Sequence, residues 1–341
     1  MPALAALVRK PDADVTIESL REEGVYDTSR RLREHDDDLL EIPVTEAPSR
    51  TDVHSVIEQV NPEPKVDGLP DLLRERGFSE AEIERAPGSW AVIGDVLLVR
   101  FDEACERREE IGEALLDLHG EADTVLHRGD VQGAHREPSV EVVAGSGDTE
   151  TVHTEHGTKY SLDLSRVMFA PGNKAERARM GEVVEPGERV LDMFAGIGYF
   201  TLPMARSGAA VTAIERNPTA FRFLAENAEL NGVGETVELL LGDCREVVNA
   251  RVAADEPGFD RIVMGYYDAH EYLESALAVL EPGGIVHMHE ATPDALLWDR
   301  PLDRLEAAVE AAGRSVTVED RRRVKTHSEG VSHVVVDARI E

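Results

Sequence analysis

RVLDMFAGIGYF, residues 189–200, is the stretch from which the rest of this chain is read. Val190, Leu191 and the acid Asp192 have the pattern of the buried end of a parallel strand. Ala195, Gly196, Ile197 and Gly198 then make a turn with almost no side chain before a helix expected to begin near Tyr199. Small residues let a backbone approach a ligand closely, and the free amides of a helix start favour negative or electron-rich groups. Alone, such a turn is equally an ordinary strand-to-helix connection. Two further acids give it meaning. AIERNP places Glu215 at the end of the next apolar strand, where a carboxylate can accept both hydroxyls of a ribose. LLLGDC places Asp243 at the end of the third, where a carboxylate can take the amino group of an adenine. Turn, ribose acid and base acid in this order predict a nucleoside-cofactor site.

The composition bounds the class. At 341 residues the chain has room for two or three domains, and 68 Asp+Glu against 36 Lys+Arg give a formal charge of -32. The lysines are only Lys10, Lys65, Lys159, Lys174 and Lys325. This acidic, lysine-poor balance resembles proteins of extreme halophiles. Such charge normally repels nucleic acid. In molar salt the Debye length falls to ~3 Å, so local arginines decide instead. No run of about 18 apolar residues predicts a membrane-spanning helix. MPALAALVRK lacks a leader's basic region and cleavage pattern and reads as a strand. Cys105 and Cys244 have no CxxC partner, which predicts neither a disulfide framework nor a structural zinc. The expectation is a cytoplasmic protein with no obligate protein partner and no bound metal.

Residues 1–60 read strand, helix, strand, with the helix at about 14–23, as a small N-terminal α+β domain. NPEPKVDGLP, 61–70, reads as a linker. A middle α+β domain is expected over 71–164, with strands near 90–101 and 140–143 and a helix around 107–119 between them, and the cofactor domain over 165–341. There strands are expected near 189–193, 211–215, 237–241, 260–264 and 284–289. Thr219 to Leu230 is the clearest helix, and a hairpin ends the chain. In SRVMFAPGNKAERAR, 165–179, Asn173 is expected to cap a helix carrying Glu176, Arg177 and Arg179.

DMFAGIGYF, AIERNP and GDC resemble the first three motifs of the class I S-adenosylmethionine-dependent transferases. A dinucleotide enzyme would usually continue to a third glycine where this chain has Tyr199 and Phe200. The resemblance implies a Rossmann-like fold, a mixed seven-stranded doubly wound sheet. It also implies S-adenosylmethionine held by Asp192, Ala195, Gly196, Glu215, Asp243 and Cys244. MFAPGNxxER, with the Met-Gly-Tyr of Met264, Gly265 and Tyr266 and the following His270 and Glu271, resembles the wybutosine-synthesising protein 2 family. Arg177 matches the arginine that holds the cofactor there. This chain has Ala170 where serine is common, so a contact at that position must come from backbone. The spacing from tyrosine to histidine is one residue short. Amino-methylating enzymes carry Asn or Asp with Pro-Pro-Tyr at this point, and the related tRNA guanine-37 methyltransferases carry Asn-Leu-Pro. The side chain that orients a target amine is therefore missing here.

The resemblance implies transfer of the 3-amino-3-carboxypropyl group of S-adenosylmethionine to 4-demethylwyosine beside the anticodon of tRNA-Phe, releasing methylthioadenosine. Guanine-37 methylation and a catalytically idle tRNA-binding scaffold are the alternatives. Tyr266 and His270 are the candidate catalytic residues, although Tyr266 is equally a packed strand-end tyrosine. Arg322, Arg323 and Lys325 are candidate tRNA contacts, equally a solvated strand face. His287 and His289 share one face of a strand, either as a metal pair without a third ligand or as packing or substrate contact. GVYDTSRRLREHDDDLLEIPV resembles the N-terminal domain of the same archaeal transferases. That would make Arg30, Arg31 and Arg33 phosphate contacts, against the charge of Asp36, Asp37 and Asp38. Without the resemblance, the segment is a packing appendage.

Overall fold

The computed structural model describes residues 3–341 except 37, 64, 66–67 and 134–136, so Asp37 and part of the expected linker lie outside the described residues. The chain divides after Ala86 into two compact units. In the first, β1 (Leu4–Arg9), α1 (Ala13–Glu23), β2 (Arg33–Glu34), β3 (Leu39–Val44) and β4 (Ser55–Glu58) form an antiparallel sheet, β2-β3-β1-β4, with one helix. Alternation puts Ala6, Val8, Ile42 and Val44 on the inner face, where Leu20 of α1 meets them. Gly24, at φ 82, ends the helix in a conformation glycine adopts without strain. Arg31 and Lys65 donate their amides to Glu63 and Ser29, so the start of the expected linker is hydrogen-bonded to this unit. Two short helices, α2 (Leu69–Glu75) and α3 (Glu80–Ile83), complete it.

Of the three arginines expected to meet phosphate, Arg30 and Arg33 are bonded within this unit and Arg31 is exposed. Arg30 donates to Asp27 at 2.8 Å, to Gln59 at 3.1 Å and to the Leu4 and Val44 carbonyls at 2.8 and 2.9 Å. It is a fastener of the sheet, not the expected phosphate contact. Arg33 bonds the Val60 carbonyl and Glu41. Arg31 pairs loosely with Glu63, at 3.8 Å.

The second unit begins with β5 (Trp90–Ile93), β6 (Val96–Val99), α4 (Arg108–Leu118), β7 (Thr124–Gln132) and β8 (Glu137–Gly145), a sheet in chain order. The single strand expected over 90–101 is broken because Gly94, at φ 58, turns the chain back. A hairpin follows, β9 (Glu150–Glu155) and β10 (Thr158–Asp163). After a 3-10 turn at Pro171–Asn173 come α5 (Lys174–Val183), β11 (Arg189–Asp192), α6 (Thr201–Arg206), β12 (Ala210–Glu215), α7 (Pro218–Leu230), β13 (Val237–Leu241) and α8 (Cys244–Ala253). β14 (Phe259–Met264), α9 (Leu273–Val279), β15 (Leu280–Pro293), α10 (Asp299–Ala311), β16 (Val316–Ser328) and β17 (Val331–Ile340) end the chain.

The seven-stranded sheet runs β13-β12-β11-β14-β15-β17-β16. β13 to β15 pair in parallel, and β17 is antiparallel to both β15 and β16, so the sheet is mixed and doubly wound as the sequence implies. β11 lies centrally because both its faces are apolar. Val190 joins a cluster with Phe223 and Leu224 of α7, and Leu191 joins one with Ile262 and Val286. Each such side chain contributes about 1.5–3 kcal/mol by leaving water. The first cluster also contains Ile93, Leu98 and Leu126, so the 87–164 segment and the large sheet share one core. The chain order reverses at β11, and α6 and α8 start beyond the strand ends there, so a crevice forms at the switch point.

Candidate cofactor site

The glycine turn is longer than the sequence suggests, and α6 starts at Thr201 instead of Tyr199. Gly196 and Gly198 have φ 58 and 102, and an added Cβ at Gly198 would lie 2.7 Å from Leu202. Both positions therefore require glycine. Asp192 lies under the turn. It is fully buried, accepts from the Thr201 hydroxyl at 2.8 Å and from the Phe194 amide at 3.3 Å, and is not among the residues lining the cavity formed by Glu215 and Asp243. Burial pushes its pKa up to about 6 against those hydrogen bonds. Asp192 thus holds the turn in shape.

Glu215 ends β12, and each of its oxygens already accepts a backbone amide, from Gly196 at 2.8 Å and from Asn217 at 2.7 Å. Burial raises its pKa, opposed by those amides. Each oxygen keeps a second lone pair, so the carboxylate is fixed in place with acceptor capacity for two hydroxyls. Asp243 caps α8 by accepting from the Arg245 amide at 3.0 Å. One cavity gathers Glu215, Asp243, Cys244 and Tyr266 with Met193, Phe194, Ile214, Arg216, Gly242 and Tyr272. Burial, with the Asp243 charge, pushes the Cys244 thiol up to about 12, so it stays neutral there.

Phe194 and Tyr272, which complete the aromatic wall of this cavity beside Tyr266, are what sequence reasoning missed. Phe194 and Tyr266 are 5.2 Å apart and tilted by 33°, and Tyr272 stands edge-on to Phe194 at 4.9 Å. Arg245 lies 3.8 Å over the Tyr272 ring and donates to the Glu271 carbonyl, which fixes that ring's outer side. Phe194 stands inside the quoted stretch, where a strand-end aromatic could have been noticed. Tyr272 and Arg245 sit on other elements, and only the fold brings them over.

Other expected residues stand elsewhere. Arg177 is buried and bonds Glu155 through two nitrogens, at 2.7 and 2.9 Å, and the Ala170 carbonyl at 3.0 Å, with Phe169 4.7 Å from its guanidinium. It is not among the cavity's lining, because a buried guanidinium beside a carboxylate is better paired than exposed. His270 lies 3.4 Å from Arg304, also outside the lining. Asn173 makes no cap bond, since the 3-10 turn intervenes, and its Oδ1 is buried without a partner. Arg322 bonds Glu176, Asp337 at 2.7 Å and Asp320 at 3.1 Å, which makes it part of an internal ion network. Arg323 is exposed, 3.8 Å from Asp294, and Lys325 packs against the Gly172 turn. His287 is held by Asp337 at 2.7 Å and Arg261 at 2.6 Å. Among the described residues no three His, Cys, Asp or Glu side chains converge as metal ligands. No helix among them is long and apolar enough to cross a membrane.

Comparison with known proteins adds an independent line. Residues 151–319 match the TRM5/TYW2 methyltransferase domain, and residues 69–149 the TYW2 N-terminal domain. The chain is 37% identical to the tRNA(Phe) (4-demethylwyosine(37)-C(7)) aminocarboxypropyltransferase of Pyrococcus horikoshii, over 81% of this chain and 99% of that protein. Its fold superposes on the crystal structure of P. horikoshii TYW2 in complex with MeSAdo, with TM-score 0.68 and 36% identity, covering 80% of this chain and 99% of that one. It also superposes on Trm5b from Pyrococcus abyssi, with TM-score 0.75 and 30% identity, over 99% of both chains.

Proposed function

Since the chain belongs to the TRM5/TYW2 family, matching an aminocarboxypropyltransferase member along nearly that protein's whole length, we propose the corresponding activity for it. It is an S-adenosylmethionine-dependent transferase that moves the 3-amino-3-carboxypropyl group to C7 of 4-demethylwyosine at position 37 of tRNA(Phe) and releases methylthioadenosine. The observation that carries this choice over methylation is Met264, fully buried at the end of β14 where the guanine-37 methyltransferases carry the asparagine of Asn-Leu-Pro, so this strand end offers no side-chain carbonyl to aim an amine at a methyl group.

The cavity fits the nucleoside end of the donor. Glu215 takes the ribose hydroxyls, Asp243 the adenine amino group, and Phe194, Tyr266 and Tyr272 the flat faces of the base, while the Ala195–Gly196 backbone lies alongside. Cys244 is part of the adenine wall. The donor's sulfonium has three electrophilic carbons, and pinning adenosine leaves the outcome to whichever arm faces the nucleophile. Arg177 acts at one remove, holding the Ala170 carbonyl and with it the 165–173 loop. Arg323 and Lys325 are the tRNA contacts on β16, and Arg322 secures the strand that carries them. His270 lies within the helical turn after β14 and Tyr266 just before it, Tyr266 being the one that can meet a substrate base. The composition supports a cytoplasm of molar salt as the working environment.

Guanine-37 methylation is the second reading, because Trm5b is matched over residues that the aminocarboxypropyltransferase match leaves uncovered. Purified protein, precursor tRNA and S-adenosylmethionine labelled in either the carboxyl carbon or the methyl decide between them. Carboxyl label in tRNA with methylthioadenosine released supports the first reading. Methyl label in tRNA with S-adenosylhomocysteine released replaces it with the second.

A further inference from the structure

α10 brings two arginines onto one buried carboxylate, and the charge this leaves runs against the composition. Arg300 and Arg304 stand one turn apart on that helix, and both converge on Glu290 of β15, with Arg300 Nε 2.7 Å and Arg304 Nη1 2.9 Å from the same oxygen, Oε1. Arg300 Nη2 also donates to the Ala291 carbonyl. Glu290 is completely buried, while the two arginine side chains are 26% and 34% exposed. One carboxylate neutralises one guanidinium, so the three side chains together carry a net positive charge in a chain with 68 acids against 36 bases.

The pairing also leaves donors open. Arg177 closes its Nε–Nη2 edge on both oxygens of Glu155, but Arg304 engages only Nη1, with Glu290 and, at 3.4 Å, with His270. Arg304 Nε and Nη2 and Arg300 Nη1 make no hydrogen bond to the described residues. Glu290 Oε2 is buried without a partner, so neither guanidinium takes this carboxylate with two nitrogens. An open Nε–Nη2 edge matches two oxygens of a phosphate, and guanidiniums already held by a carboxylate lose little rotamer freedom on meeting one. The cluster lies at the strand end where chemistry is expected. Asp268, two residues after Tyr266, bridges to Glu290, and the Ala291 amide donates to the Tyr267 carbonyl at 3.3 Å. The acids nearby in sequence, Asp268, Glu271, Asp299 and Asp303, form no ion pair with either arginine, and in molar salt, where the Debye length is ~3 Å, only charges in near contact count.

We propose that Arg300 and Arg304 form a phosphate clamp for the tRNA backbone beside the nucleotide that is modified, with Glu290 as the positioning residue that aims them. This rests on the tRNA-transferase reading and holds for either transferred group. The clamp adds to Arg323 and Lys325 of β16 a contact on a separate element. The carboxylate of the donor's amino-acid arm has the same chemistry as a ligand for a guanidinium edge. A backbone phosphate is favoured because neither arginine is among the residues lining the cavity proposed for the nucleoside, and the test separates the two.

The test is binding of precursor tRNA across the salt range in which the native protein stays folded, with calorimetry of S-adenosylmethionine and methylthioadenosine beside it. The variants are Arg300→Gln and Arg304→Gln, each of which leaves Glu290 paired with the other arginine, and Arg222→Gln as an exposed control on α7. The clamp predicts that each of the first two lowers the slope of log affinity against log salt by about one and raises the KM for tRNA. It leaves kcat at saturating tRNA and both small-molecule affinities unchanged, and Arg222→Gln keeps the native slope. Should the glutamine variants fail to fold, Arg304→Lys keeps the charge and loses the fork: weaker tRNA binding at an unchanged slope supports the clamp, and native affinity overturns it. Native slopes in both clamp variants, or a change equalled by Arg222→Gln, overturn the clamp while the transferase reading stands. Weaker S-adenosylmethionine binding with native methylthioadenosine binding overturns it in favour of the donor's carboxylate, because methylthioadenosine lacks the amino-acid arm. Native protein that shows no salt-dependent binding of precursor tRNA overturns the parent reading and the clamp together.

Discussion

The Arg177 guanidinium and the Glu155 carboxylate meet edge to edge at 2.7 and 2.9 Å in a position shut off from water, joining α5 to the β9–β10 hairpin. Removing one partner strands the other as a buried charge. Arg177→Met and Glu155→Gln are each expected to cost about 3–5 kcal/mol, read as denaturant midpoints, with the Arg177→Met/Glu155→Leu pair recovering much of it. Burial alone would raise the Glu155 pKa, but hydrogen bonds from His153 and Arg177 outweigh it and bring it down to about 2. A lowered carboxylate pKa stabilises the fold above the unfolded value of 4.5 and loses that contribution as pH falls toward 2. Glu155→Gln should therefore flatten the stability profile between those limits, and an unchanged profile would refute the assignment.

The Gly196 amide fixes Glu215 at the wall of the cavity proposed for the nucleoside. Glu215→Gln replaces an acceptor of two backbone amides and two hydroxyls by a group with half that capacity. Calorimetry should show S-adenosylmethionine affinity falling about 10- to 100-fold, the equivalent of one or two charge-assisted hydrogen bonds. Asp243→Asn should weaken adenosine and S-adenosylmethionine alike. Equal binding by the native and variant proteins would place the nucleoside elsewhere.

The two neighbours Arg322 and Arg323 should separate cleanly. Arg322 is anchored to Glu176 and Asp337, so Arg322→Gln is expected to lower stability by about 3 kcal/mol. Arg323→Gln and Lys325→Gln should leave the melting temperature in place while each reduces the salt dependence of tRNA binding by about one unit of slope. A salt titration by filter binding, beside a thermal melt, measures both.

Neither cysteine should react in the native protein. Burial raises both thiol pKa values, Cys244 to about 12, and both side chains are covered. A chromogenic disulfide reagent at pH 8 should titrate no thiol before unfolding and two after it. Rapid native labelling at Cys244 would contradict its burial.

The strands of the large sheet were legible because a buried parallel strand is an apolar run ending in an acid or glycine, and five of these recur with helices between them. The hairpin at 90–99 and the strand at 124–132 were not, since glycine turns and a half-exposed face blur the period. The arginines misled for a different reason. Arg30 and Arg177 read as phosphate and cofactor contacts through a family resemblance and Arg322 through its basic cluster, yet each bonds carboxylates or carbonyls inside the fold.

By itself the sequence carried the doubly wound class, the glycine turn at residues 195–198 and the placing of Glu215 and Asp243 at the ends of successive strands, because these are properties of short segments and their order. Tertiary structure alone decided which side chains close the cavity, that Asp192 faces inward, and that His289 and His333 stand ring to ring across two strands. Those facts depend on contacts between residues far apart in the chain, and burial, which sets their charge and pairing, exists only once the sheet is assembled.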